Sequence, residues 1–181
     1  WLAQLTTALQ HLHAKLVLHR DLKTANVFLN AQGEVKLGDF GIARSLSTYT
    51  HFSETVVGTP HCMAPEVLAS APYAHPADVW GLGVILFELL CLKRPFGQVG
   101  DGLGALVAKI STGRYDASAL QRAPHPDGLK QLAGPTALMH PDPDERMRLE
   151  ELQEALRTLG YDELLDECSR SAMEPPFAVN R

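Results

Sequence analysis

Three short clusters carry residue types suited to one chemistry. His19-Arg20-Asp21-Leu22 is followed closely by Asn26, Asp39-Phe40-Gly41 comes shortly after, and Ala64-Pro65-Glu66 lies further along. Moving a phosphoryl group requires a carboxylate to orient and deprotonate a hydroxyl, oxygen ligands for a divalent metal, and a cation near the phosphate. In the spacing H-R-D-L-x-x-x-N, Asp21 is the expected base and Asn26 a metal ligand, while Asp39 supplies a second Mg²⁺ carboxylate. Each cluster alone is weak: D-F-G recurs by chance, and an Asp beside an Arg is commonly a surface ion pair. In order and at workable spacings, the three point together to phosphoryl transfer.

The surrounding elements must hold these groups. Leu2, Leu5, Leu9, Leu12 and Leu16 recur at helical spacing, which predicts an amphipathic helix ending near Lys15. Val27–Leu29 and Val35–Leu37 read as two short strands, with Asn30, Ala31, Gln32 and Gly33 as the hairpin turn between them. That hairpin would bring Asn26 and Asp39 together, one at each end. From Gly41 to Pro65 the pattern is a long loop, and long ordered loops are usually functional. Val79–Leu92 is apolar on every side, which predicts a helix buried at the centre of the domain. Weaker helical patterns follow near Leu103–Ile110, Gly128–Met139 and Arg148–Leu159. The last has early acids, a late Arg157 and Gly160 as its stop. Residues 161–181 read as a tail, flexible from Ser169 onward.

The chain's 181 residues suit one domain, and 45% hydrophobic with 20% charged residues is near the globular average. A net charge of −5 gives no reason to expect nucleic acid. Cys62, Cys91 and Cys168 are odd in number and far apart, which suits reduced thiols and an intracellular, cytoplasmic address. No Cys or His pair has zinc-site spacing, so His61 beside Cys62 reads as a loop pair. The longest apolar run, Val79–Cys91, contains a glutamate and is too short to span a bilayer, so no membrane partner is expected. The chain opens at Trp1 inside what reads as a helix, and a fragment is expected.

These motifs resemble the C-terminal lobe of a eukaryotic protein kinase, from Trp1 to about Gly160. The phrases "HRDLKTANVFL", "LGDFGIAR", "VVGTPHCMAPEVL" and "ELLCLKRPF" are similar to the NIMA-related (NEK) kinases. The resemblance implies a mainly α fold: a kinase C-terminal lobe over residues 1–160, with a short β-hairpin carrying the catalytic and metal-binding loops. It implies a serine/threonine kinase using ATP and Mg²⁺ (or Mn²⁺) on protein substrates. By the same likeness, Lys23 contacts the γ-phosphate, and Leu29 lies under the adenine. Thr55 is the activation-loop phosphosite, modified by an activating kinase or by the protein itself, and its phosphate would pair with Arg20. Thr59 would hydrogen-bond Asp21 and Lys23. Asp78 would anchor the H-R-D backbone, serve as a helix N-cap, or do both.

A buried Glu66 needs a cation. Arg146 is the matching partner, although Met147 stands where relatives have proline and Arg148 is a nearby rival. His61-Cys62 replaces an aromatic pair common in relatives. "AGPTALM" (Ala133–Met139) puts Gly and Pro where relatives show a continuous helix.

A glycine-rich phosphate loop and the strand lysine that transfer requires do not occur in these residues, and "GQVGDGLG" has the wrong spacing. The fragment by itself is expected to bind ATP weakly. A non-catalytic remnant acting as an interaction module is the alternative, against which intact Asp21, Asn26 and Asp39 argue. A small-molecule kinase would lack "GTPHCMAPE".

Overall fold

The computed structural model describes residues 1–38, 60–97 and 100–173. Its centre is α3 (His75–Cys91), a 17-residue helix with Pro76 in its first turn, where the missing N–H of proline costs nothing. Trp80, Leu82, Val84, Ile85 and Phe87 point to different sides of it, and all are buried. Removing each such side chain from water stabilises the fold by about 1.5–3 kcal/mol. Trp80 stacks on Phe96 at 5.6 Å, and Phe87 meets Tyr115 edge-on at 5.4 Å. The helix stops at Leu92, which adopts φ 54° while its N–H bonds the Glu88 carbonyl at 2.8 Å.

Helix α1 (Leu2–Ala14) packs against α3 through its apolar stripe, with Leu5 and Leu9 fully buried. Leu16 does not continue that stripe as its spacing suggests. The chain has left the helix there with φ 60°, and Leu16 is 86% exposed. Strands β1 (Val27–Leu29) and β2 (Val35–Leu37) form an antiparallel pair in the register Val27↔Leu37, Phe28↔Lys36, Leu29↔Val35. Gly33 takes φ 79° in the turn, and the Asn30 side-chain oxygen accepts from the N–H groups of Gln32 and Glu34. The Gln4 side chain accepts from Val35 N–H at 2.9 Å, fastening the hairpin to α1.

The remaining helices surround this frame. They are α2 (Pro65–Leu68), α4 (Leu103–Ser111), α5 (Ala117–Arg122), α6 (Asp127–Leu132), α7 (Leu149–Thr158) and α8 (Asp162–Met173). Helix α5 has no counterpart in the sequence reading, and two others depart from it. The pattern over Gly128–Met139 forms a helix only to Leu132, since Gly134 and Pro135 follow and proline cannot continue the ladder. Within the expected tail the described residues are helical: α8 packs on α1 and α7, Leu165 is fully buried, and the Ser169 hydroxyl bonds the Leu165 carbonyl. Among the described residues, no helix is long and apolar enough to cross a membrane.

Candidate active site

Between α1 and β1 the chain runs over the face of α3 as an irregular loop, so its backbone groups need partners from elsewhere. Asp78, in the first turns of α3 and 0% exposed, provides them. Its carboxylate accepts from the N–H of His19 at 3.0 Å and of Arg20 at 3.1 Å. It also accepts from Tyr73 Oη at 2.9 Å and pairs with His13 Nε2 at 2.8 Å. The N-cap position of α3 is Ala74, so Asp78 does not serve there. Burial alone would raise its pKa, but the hydrogen bonds from His13, His19, Arg20 and Tyr73 outweigh burial and hold it below the ordinary value of 3.8. These bonds also keep Arg20 at φ 68°, a strained backbone for a residue with a side chain.

With the backbone held, three side chains converge. Lys23 Nζ lies 2.7 Å from Asp21 Oδ2. Buried Asn26 donates through Nδ2 to the Asp21 carbonyl at 2.8 Å and to Asp21 Oδ2 at 3.0 Å. The Asn26 carbonyl accepts from Gly38 N–H at 3.0 Å, which brings the end of β2 back to the start of β1. Beneath the loop, Leu22 is buried against Gly81 of α3; a Cβ on Gly81 would come within 2.9 Å of the Leu22 carbonyl oxygen.

The second buried charge lies beside the start of α3. Arg146, 3% exposed, makes a two-pronged pair with Glu66, Nη1 to Oε1 at 2.7 Å and Nη2 to Oε2 at 2.9 Å. Its other donors reach the carbonyls of His140 and Pro76, and its guanidinium lies 5.1 Å from the Trp80 ring centre. Arg148, the rival partner, is exposed at the start of α7, where its N–H bonds the Glu151 carboxylate at 2.7 Å.

Leu29 is 50% exposed on the hairpin. It lines a hollow of about 120 Å³ together with Trp1, Leu5, Ile85 and Leu89, so it belongs to the hairpin face turned toward α1 and α3. Phe28, on the opposite face by the period of two, is 55% exposed and lies against Gly38. Asp39, Thr55 and Thr59 lie outside the described residues. His13 and Gly81 escaped the sequence reading because each acts on a residue distant in the chain, and Tyr73 because no local signal turns its hydroxyl toward Asp78.

Where the long loop returns, a short turn (Pro60–Cys62) packs on α3. Burial, and then the charges of Arg94 and Lys23, push His61 down to about 4, leaving a neutral imidazole. Burial, followed by the charge of Glu88, pushes the Cys62 thiol up to about 12.

The sequence that builds this loop and its central helix lies within a stretch that matches a known family. Residues 1–156 match the protein kinase domain family, and the chain belongs to it. Within that family it is NEK-like. It is 40% identical over 161 residues to serine/threonine-protein kinase Nek2 of Mus musculus, covering 85% of this chain and 34% of that protein. It is 41% identical over 150 residues to Nek8 of Danio rerio (82% and 20%) and 43% identical over 115 residues to Nek1 of Mus musculus (64% and 9%). The matched region is at most about a third of these relatives' length.

Proposed function

We propose that this chain is the C-terminal lobe of a serine/threonine protein kinase, which moves the γ-phosphate of ATP onto protein serine and threonine hydroxyls. The observation that carries the reading is the convergence of Lys23 and Asn26 on the Asp21 carboxylate. Asp21 is the proton acceptor for the incoming hydroxyl, and the bonds from Asn26 fix which way its carboxylate turns. Lys23 places a cation where negative charge gathers on the transferred group. Anchoring by Asp78 sets these groups before substrate arrives, and such positioning is most of what phosphoryl transfer asks of a protein.

The donor set suits Mg²⁺ or Mn²⁺. Asn26 spends its Nδ2 on Asp21, and among the described residues no donor engages its Oδ1, a hard oxygen; Asp39 would add a carboxylate. When bound, the metal neutralises charge on the ATP phosphates. Because Leu29 lies on the hairpin face turned toward α1 and α3, we assign the adenine-facing position to Phe28 on the opposite face. Exposed Arg20 is the partner for a phosphate on Thr55, added by an activating kinase or by the protein itself, and Thr59 is placed beside Asp21 and Lys23 by motif position alone. Three free thiols support an intracellular, cytoplasmic setting.

Asp21→Asn in the complete protein tests the reading. Transfer of labelled phosphate to a generic acceptor is expected to fall about 10²–10⁴-fold, as for loss of a general base. Near-normal transfer would sink the assignment.

A further inference from the structure

We propose that His61, Cys62 and Glu88 form a zinc site beside the catalytic loop, with a fourth position open to water. One potential ligand atom from each residue lies within 4.8 Å of the others. A nitrogen, a sulfur and a carboxylate oxygen form a donor set that suits Zn²⁺, and three protein ligands plus water is the open form of such sites. His61 and Cys62 come from the turn after the long loop, and Glu88 from the last turns of α3, so both supports are ordered elements. All three residues are half-buried, which leaves a path from solvent.

Two further observations point to a ligand. The Thr24 hydroxyl donates to Glu88 Oε2 at 2.7 Å, the kind of outer bond that aims a ligating carboxylate. The Nδ1 atom of His61 is buried and has no hydrogen-bond partner among the described residues. A buried ring nitrogen without a partner is costly. A bound ion removes that cost by taking Nδ1 itself as its ligand. On binding, the Cys62 S–H bond breaks, its proton goes to solvent, and the sulfur pair forms the Zn–S bond. A His61 ring nitrogen and a Glu88 carboxylate oxygen each donate a lone pair, and no electron is transferred.

Sequence spacing hides this site, because the third ligand arrives only through the packing of the Pro60–Cys62 turn on α3. Glu88 bonds Thr24, the residue next to Lys23, so the site adjoins the loop that carries Asp21 and Lys23. A dication there would draw on Asp21 and oppose Lys23, so zinc is expected to slow phosphate transfer. That consequence rests on the kinase reading, whereas the binding does not.

The test is titration of the reduced, metal-stripped complete protein with Co²⁺, followed by absorbance. A thiolate-to-cobalt band with visible bands of a four-coordinate ion, displaced by Zn²⁺, is expected. Cys62→Ser should lose the thiolate band, while Cys91→Ser and Cys168→Ser keep it. Thr24→Val should weaken the apparent affinity about tenfold. Circular dichroism checks that Cys62→Ser folds. If it does not, His61→Gln takes its place and should lose the four-coordinate visible bands. Absence of the thiolate band, or its survival in Cys62→Ser, overturns the site. The activity arm is separate: zinc inhibition of the wild type that is absent in Cys62→Ser supports both the site and its effect. Intact cobalt bands without inhibition overturn the effect and leave the site standing.

Discussion

Asp78 and Arg146 are both buried charges at the central helix, but their bonds end on different things. Asp78 sends its bonds to the backbone of the loop that carries Asp21, so what it holds is the geometry of a site. Arg146 ties Glu66 of α2 to the Pro76 carbonyl at the start of α3 and to the His140 segment, so what it holds is the scaffold. Burial and charge alone therefore do not tell a positioning residue from a structural one. The identity of the partner does.

The contrast can be broken most forcefully at the scaffold end. Arg146→Ala leaves Glu66 without its cation, and a buried pair broken on one side costs about 3–5 kcal/mol. Urea denaturation should show this as a lower midpoint. Replacing both partners together, Glu66→Met with Arg146→Leu, should recover most of the loss, because no lone charge is left behind.

Asp78→Asn keeps the shape but weakens four bonds, and is expected to cost about 2 kcal/mol. Its larger mark should be on transfer, about 10²-fold in the complete protein, because the loop carrying Asp21 shifts. Equal losses at Asp78 and Arg146 on both readouts would erase the distinction. The same variant has an acid signature. The folded pKa of Asp78 lies below its ordinary 3.8, so its ionised form stabilises the fold above that value and the contribution is lost as pH falls through the folded pKa. Acid unfolding followed by circular dichroism should be shallower in Asp78→Asn than in the wild type.

Gly81→Ala refines the comparison with a change in neither charge. Its new Cβ would meet the Leu22 carbonyl at 2.9 Å, so either loop or helix must yield, at about 1 kcal/mol or somewhat more. Transfer should fall beyond what that loss of stability explains. The smallest effect is expected at Lys36→Ala. Its pair with Glu34 spans 3.2 Å between exposed groups, and the melting temperature should not change measurably.

The hairpin was legible because alternation and an Asn-to-Gly turn are local signals, and its strands fall where the pattern puts them. The cluster of Asp21, Lys23 and Asn26 was legible because all three lie within one short loop. Helix α5 was overlooked, though a local signal exists: Asp116 caps it by accepting from Ser118 and Ala119 N–H. Helix α8 carried the acids of its first turn and Arg170 in its last, but its apolar stripe is thin and becomes meaningful only against α1. Which of Phe28 and Leu29 would face an adenine was not legible, because in a strand a single step changes the face.

The sequence by itself determined the residue types for phosphoryl transfer, their order, and the central helix whose all-round apolarity admits only burial. These are set by covalent neighbours and by hydrophobic pattern, which need no partner to be recognised. The tertiary structure alone decided that Asp78 receives the loop backbone together with His13 and Tyr73, that Arg146 rather than Arg148 meets Glu66, and that Glu88 joins His61 and Cys62. Most of these contacts join groups far apart along the chain, and they exist only once burial has removed water and fixed which side chains must satisfy one another.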